Sequence, residues 1–429
     1  MILRVPGDKS LTQRALILAS LAEGESRISG LLHGGDAAST AGAMRALGVQ
    51  IPGLPDDGGE IRVPGVGLSG LRAPEAPLDL GNSGTGTRLL LGVLAGSGIQ
   101  ATVDGDASLR SRPMGRVTGP LSAMGADFSF LDVDGRLPIR VTGRPPLSAL
   151  DWQSPVASAQ VKSAILLAGL VGRAFVLVSE PRQSRDHTER MLRSLGVSVI
   201  AHPVEGRWQV ELRDPPERLD ALDFEVPGDI SSAAFLLALG ALGRGHGLTV
   251  DRVGLNPTRT AFLDVLRRMG AKVEVETEDE GPGEPRGKVT VRPTRLRAVE
   301  ITEVEVPSLI DEIPLIAALA SRAEGETRIT GAAELRHKES DRIAAVVENL
   351  RVLGVSAEEL ADGMVVEGSD RPLVGRVVCH GDHRVAMAFG VLGALPGNTI
   401  DIDEPEAADV SFPGFWELLS EAAGTNRES

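Results

Sequence analysis

Lys and Arg stand at the starts of four predicted helices: Lys9 with Arg14, Arg88, Lys338 with Arg342, and Arg384. The N-terminal end of a helix carries partial positive charge and unpaired N–H groups, so a cation there costs stability unless an anion shares the space. The chain has a formal net charge of −15, so these cations are not overflow from a basic composition. Their placement points to bound phosphate or carboxylate groups.

Residues 6–14, Pro-Gly-Asp-Lys-Ser-Leu-Thr-Gln-Arg, turn at Gly7, offer Asp8 or Ser10 as a helix cap, and put Arg14 four residues past Ser10 on one helical face. Hydroxyl, ammonium and guanidinium would converge there on substrate oxygens; a capped surface turn is the plainer alternative. Residues 81–88, Gly-Asn-Ser-Gly-Thr-Gly-Thr-Arg, precede an apolar helix over 89–95 and either cradle an oxyanion, with Arg88 adding charge, or form a turn only. Their spacing is that of neither a Walker nor a dinucleotide motif, so nucleotide binding is not supported. Pro113 restricts Arg112 to extended backbone, and in an extended segment Arg110 would point to the opposite face, leaving one of the two for a ligand. Ser158 and Gln160 open the next helix with groups able to grip a sugar-like ring, although capping explains Ser158 equally well. In residues 180–188 Arg185 either meets a phosphate or joins a salt-bridged cap, and His187 reads as structural.

Two segments supply carboxylates. Asp311 and Glu312 interrupt an apolar stretch before a helix over 316–320, where partly buried acids beside cations suit proton transfer and where helix-start acids are also ordinary. Residues 336–342 are read as a helix start with Lys338 and Arg342 one turn apart and Glu339 three residues before Arg342. His380, Asp382 and His383 tempt a metal reading, but they straddle a Gly turn without helical His spacing, and capping accounts for Asp382.

The elements that must position these groups repeat. Five helical patterns end at Gly48, Gly125, Gly196, Gly270 and Gly354, each followed by an apolar residue resuming as a strand. The spacing of about 70 to 85 residues exceeds that of a solenoid and suits roughly six α/β units. Pro-Gly-Asp-Lys-Ser at 6–10 and Pro-Gly-Asp-Ile-Ser at 227–231 both open apolar helices, and short apolar runs at 173–178 and 247–250 suit strands. The reading is two similar α/β domains, residues 9–227 and residues 1–8 plus 228–429, with the first strand belonging to the C-terminal half and a cleft between them. Residues 52–59 and 278–287 are expected as exposed hairpin tips, and the tail after Glu421 as frayed.

With 429 residues, one cysteine, seven scattered histidines, three Trp, nine Phe and no Tyr, the composition excludes an intrachain disulfide and argues against structural zinc and a stacking nucleic-acid surface. No run of eighteen apolar residues occurs and the chain opens on a strand-like Ile2 rather than a leader, so a cytoplasmic protein without a membrane span is expected.

In order along the chain stand Pro-Gly-Asp-Lys-Ser (6–10), Gly-Asn-Ser-Gly-Thr (81–85), Arg-Pro-Met (112–114), Ser-Ala-Gln (158–160), Ser-Arg-Asp-His-Thr-Glu-Arg (184–190), Leu-Asn-Pro-Thr-Arg-Thr (255–260), Ile-Asp-Glu-Ile-Pro (310–314), Lys-Glu-Ser-Asp-Arg (338–342) and Gly-Asp-His-Arg (381–384). This set resembles the enolpyruvylshikimate-phosphate synthase family. The resemblance implies two domains of three βαβαββ-type units each, an inside-out α/β barrel design, with the active site in the interdomain cleft. It implies transfer of the enolpyruvyl group of phosphoenolpyruvate to the 5-hydroxyl of shikimate 3-phosphate, in the shikimate pathway, by a monomer with no metal or organic cofactor. Lys9, Gly84, Arg112, Arg342 and Arg384 would meet phosphoenolpyruvate, with Arg88 close by. Ser10, Arg14, Ser158, Gln160, Ser179, Arg185, Asp311 and Lys338 would meet shikimate 3-phosphate. Asp311, Glu339 and Lys9 would handle protons and the leaving phosphate. Two positions depart from the pattern of relatives: Val410, two residues before Phe412-Pro413, stands where some carry Lys, and Glu334 where others carry Asn. The rival reading is transfer to UDP-N-acetylglucosamine, whose enzymes share the fold but typically use a loop cysteine, absent from residues 105–113.

Overall fold

Apolar residues recur on every side of the helices that follow the two Pro-Gly-Asp turns, and a helix apolar all round must be buried all round. The computed structural model describes residues 1–243, 247–278 and 283–427 and bears this out. The chain divides into two compact units, one of residues 7–226 joined by Gly283 and Glu284, the other of residues 1–6 with the remaining described residues from Pro227 onward.

In the unit of residues 7–226, the helices Lys9–Leu21, Gly84–Gly96 and Ala159–Val171 are buried over nearly their whole length. Their backbones approach closely because the contact lacks side chains: a Cβ on Gly92 would lie 2.2 Å from the Ala164 carbonyl oxygen. Three separate sheets accompany them. Two follow one plan, in which a parallel pair of strands flanking a buried helix is extended by an antiparallel hairpin: Leu78–Asp79 and Gln100–Asp104 with Asp127–Phe130 and Ile139–Thr142, then Leu150–Gln153 and Val176–Glu180 with Val199–Val204 and Arg207–Leu212. The third is shorter, Asp223–Glu225 pairing parallel with Glu23–Ser29, which pairs antiparallel with Ile61–Val66.

The other unit buries Ile230–Leu242, Ile313–Ala320 and His383–Gly393 in the same manner. Its first sheet borrows the N-terminal strand, Ile2 pairing with Thr249 and Leu3 with Val250. A second follows the full plan over residues 300–367, whereas the last holds only Val374–Val377 and Thr399–Ile402. Each unit has its own hydrophobic core. The repeats are therefore six but unequal. Helices lie inside and sheets outside in each unit, and among the described residues no strand pairing closes the sheets into a barrel.

All five predicted helix stops share one geometry. Gly48, Gly125, Gly196, Gly270 and Gly354 have φ between +76° and +107°, and the N–H of the next residue reaches back to the carbonyl five positions earlier, as from Val49 to Met44 at 3.1 Å and from Val355 to Leu350 at 2.9 Å. This satisfies carbonyls that a helix end leaves unpaired and turns the next apolar residue into the core. Residues 52–59 are exposed or half-buried but join a helix to a strand, so they are no hairpin tip. The expected tip at 278–287 does join paired strands, its residues 279–282 lie outside the described residues, and Glu284 is buried against His187 rather than exposed. The tail after Glu421 is helical as far as Arg427, its last two residues lying outside the described residues.

Candidate active site

Two side-chain clusters gather at helix N-termini, one in each unit. In the unit of residues 7–226, Asp8 caps Lys9–Leu21 by accepting the Leu11 N–H at 2.8 Å, and Ser83 caps Gly84–Gly96 by accepting that of Gly86 at 3.1 Å. Gln13 Nε2 donates to Ser83 Oγ at 2.5 Å, and Gln160 Nε2 to Thr85 Oγ1 at 2.9 Å, so the starts of all three buried helices are tied together. Their positive dipole ends add on the same side of the unit.

The cations of this unit follow. Lys9 Nζ lies 3.2 Å from Asp36 Oδ2. Arg88 donates to the carbonyls of Gly84 and Pro113. Arg112 donates to the Asn82 carbonyl, to Asn82 Oδ1 and to Ser108 Oγ, none of them a carboxylate, and its buried Nε makes no hydrogen bond. A Cβ on Gly84 would stand 2.8 Å from an Arg88 Nη1 and 3.1 Å from Arg112 Nη1, so two guanidiniums flank one helix start. Residues 107–111 form a short helix rather than an extended segment, and Arg112 leaves it with extended backbone while Arg110 pairs with Asp104.

The groups expected around a phosphate ester lie in this unit too. Ser158 caps Ala159–Val171 and gives its N–H to Glu180 Oε1 at 2.7 Å. Ser10 follows Lys9 in the first turn, and its carbonyl accepts from Arg14 Nη1 at 3.0 Å. Arg14 is buried and also donates to Thr188 Oγ1 and Ser163 Oγ, at 2.8 and 3.2 Å. Burial lowers its pKa to about 10, against the pull of Asp8 and Glu189, so it stays charged at neutral pH. Ser179 is buried, its hydroxyl accepting from Arg207 Nε at 2.8 Å, an arginine that sequence reasoning missed. Arg185 precedes the helix His187–Ser194, and His187 is a buried partner of Glu284 at 2.8 Å.

In the other unit Arg342 opens the helix Arg342–Val352 and is 1% exposed. Asp382 grips it twice, at 2.7 and 3.2 Å, while Glu339 lies 2.6 Å and Asp311 3.7 Å away. Burial alone would lower the Arg342 pKa, but Asp382 and Glu339 outweigh it and hold the group more firmly charged than usual. Asp382 also caps His383–Gly393 by accepting the Arg384 N–H at 2.9 Å. Arg384 Nη1 donates to the Asp311 carbonyl at 2.8 Å and lies 3.6 Å from Glu312 Oε1. Glu312 takes a hydrogen bond from Ser231, which accepts from Arg259 Nη2 at 2.7 Å, so Arg259 of the 255–260 motif underlies this cluster.

Two expectations change. The helix begins at Arg342 under an Asp341 cap, so Lys338 is not in its first turn but follows the 3-10 helix Ala333–His337. The misfit of cation and helix start is also relieved by the protein itself: Asp36, Asp382, Asp311 and Glu312 stand beside Lys9, Arg342 and Arg384. Such acids hold the cations in place as well as neutralising them, which a loose anion pocket would not. With Asp382 committed to Arg342 and the Arg384 N–H, its carboxylate is no open metal ligand, and among the described residues no three His, Cys, Asp or Glu side chains could hold a metal together. No described helix is long and apolar enough to cross a membrane. Glu334 is exposed, and Val410 ends a short 3-10 helix.

Residues 1–419 match the EPSP synthase (3-phosphoshikimate 1-carboxyvinyltransferase) family. A 3-phosphoshikimate 1-carboxyvinyltransferase of Alkalilimnicola ehrlichii is 50% identical over 98% of this chain and 92% of that protein, and one of Gloeobacter violaceus is 51% identical over 97% and 95%. Among solved structures, an EPSP synthase from Acinetobacter baumannii is 40% identical with a TM-score of 0.84, covering 98% of this chain and 95% of that one. The enolpyruvyl transferase NikO from Streptomyces tendae, at 19% identity and a TM-score of 0.75 over 98% and 94%, shares the fold. The chain belongs to the EPSP synthase (3-phosphoshikimate 1-carboxyvinyltransferase) family.

Proposed function

We propose that the two clusters carry one reaction, addition of the shikimate 3-phosphate 5-hydroxyl to C2 of phosphoenolpyruvate followed by loss of phosphate. The observation that carries this reading is the gathering of cations at tied helix N-termini, with Arg88 and Arg112 flanking Gly84 in one unit and Arg342 and Arg384 held by acids in the other. Both reactants are anions, and their mutual repulsion must be offset before they can react. Lys9, Gly84, Arg112, Arg342 and Arg384 bind phosphoenolpyruvate in this reading. Ser10, Arg14, Ser158, Gln160, Ser179, Arg185 and Lys338 bind shikimate 3-phosphate, with Asp311 at its hydroxyl.

The chemistry needs a base for that hydroxyl and an acid for the methylene carbon. As the C–O bond forms, the methylene gains a proton and becomes a methyl group. As the C–O bond to phosphate breaks, the methyl group returns a proton and the enol ether remains. Asp311, beside two arginines, is suited to take the hydroxyl proton, while Glu339 and Lys9 serve the methyl proton and the leaving phosphate. Family membership favours shikimate 3-phosphate over UDP-N-acetylglucosamine as acceptor. The lone Cys379 is buried, and burial pushes its thiol up to about 12, which leaves it no thiolate for chemistry. Phosphate release from phosphoenolpyruvate should require shikimate 3-phosphate; release with UDP-N-acetylglucosamine alone would reject the proposal.

A further inference from the structure

The helix Ala159–Val171 is mainly apolar and carries a single charged residue, a lysine near its start. Lys162 is wholly buried, its Nζ 2.7 Å from Glu189 Oε1 and 3.2 Å from Glu180 Oε2, both of which are also out of solvent. It donates to the Ser184 carbonyl at 3.4 Å as well. Burial alone would lower its pKa, but Glu189 and Glu180 outweigh this and keep it charged. Three buried charges are a poor way to gain stability, since an apolar set of similar volume is often neutral or better. The arrangement calls for a geometric reason.

Its connections supply one. Glu180 accepts the Ser158 N–H at 2.7 Å through Oε1 and the Ser184 hydroxyl at 2.7 Å through Oε2. Ser184 precedes Arg185 in the chain, and Glu180 follows Ser179. Ser163 and Thr188, neighbours of Lys162 and Glu189, hydrogen-bond each other at 2.7 Å and together hold Arg14. We propose that Lys162 is a positioning residue for shikimate 3-phosphate, the hub that fixes Ser158, Ser179, Arg185 and Arg14 in one constellation. This rests on the site assignment made above. Lys162 does not touch substrate. It locks the strand end at Glu180, the connection through Ser184 and the helix carrying Glu189 against its own helix, so the substrate meets groups already in place.

The test measures KM for each substrate in Lys162→Met, in the charge-matched Lys162→Met/Glu189→Gln and in Ser184→Ala. Displacing the constellation should raise KM for shikimate 3-phosphate about tenfold or more in the lysine variants, with KM for phosphoenolpyruvate within about threefold of native. Ser184→Ala, which removes one neutral hydroxyl, should raise it about fivefold and decides the matter should the charge variants fail to fold. A folded charge-matched variant with native KM for shikimate 3-phosphate, or equal rises for both substrates, would overturn the proposal. Arg185→Ala and Gln160→Ala serve as controls. If they raise KM and the hub variants do not, the role of Lys162 fails alone; if neither set does, the site assignment fails with it.

Discussion

Replacing Asp382 by Asn should cost this protein more than any exchange of an exposed charge. The carboxylate is fully buried and accepts from Arg342 Nε at 2.7 Å, Arg342 Nη2 at 3.2 Å, Ser340 Oγ at 3.0 Å and the Arg384 N–H at 2.9 Å. An Asn has one oxygen for these donors, and its amide hydrogens would face another N–H. Arg342, 1% exposed, would keep its charge with its closest doubly bonded acid gone. Breaking a buried ion pair on one side costs about 3–5 kcal/mol, which for a unit of this size is a fall in Tm of about 6–20 °C. Thermal and guanidinium unfolding of the variant would measure it, and KM for phosphoenolpyruvate should rise with it because Arg384 loses its helix cap. The pH dependence has a definite sign. Burial would raise the Asp382 pKa, but Arg342 and His383 pull it below the usual carboxylate value. A depressed pKa in the folded state means stability that is complete above the unfolded value of about 4 and is lost as pH falls below it. Native and variant stabilities should therefore converge in acid. A loss below about 1 kcal/mol at neutral pH would refute the claim that Asp382 organises the arginines.

Three further outcomes are expected. Asp311→Asn and Glu339→Gln should each lower kcat by about 10²-fold or more while both substrates still bind, as titration calorimetry and steady-state kinetics would show. Gly92→Ala should destabilise by about 1–3 kcal/mol or more in denaturant unfolding, since its Cβ would press on the Ala164 carbonyl at 2.2 Å. Above pH 10.5 the unit of residues 7–226 should lose the contribution of Lys162, whose raised pKa keeps the ion triad intact below that value and surrenders it as pH climbs through the folded value; base titration of native against Lys162→Met/Glu189→Gln would show the difference shrink.

Local chemistry was legible where neighbours in sequence are neighbours in space. Gly after an apolar helix gave the stop, Asp before Lys9 and before His383 gave the cap, and the echo of Pro-Gly-Asp at 227 gave the duplication. What escaped depends on distance along the chain. Arg342 and Asp382 lie forty residues apart, Arg384 and Asp311 seventy-three, so the acids that relieve the misplaced cations could not be read beside them. Lys338 was misplaced because the helical reading extends back over residues 336–341, where the structure has a 3-10 turn at Ala333–His337 and starts the helix only after the Asp341 cap. The Lys162 hub did leave a signal, a lone charge in an apolar helix, but its two glutamates sit in other elements. The shortened repeats at the start of one unit and the end of the other have no marker in the helix-stop pattern, which counts helices and not strands.

The most direct measurement is the affinity for phosphoenolpyruvate, in the presence of shikimate 3-phosphate, of Arg112→Met, Arg384→Met and the double variant. Each arginine belongs to a different unit, and the account predicts that each single change weakens binding by about tenfold to a hundredfold, one charged hydrogen-bonding group at a time. Native affinity in either single variant would contradict the proposal that Arg112 and Arg384 both bind phosphoenolpyruvate.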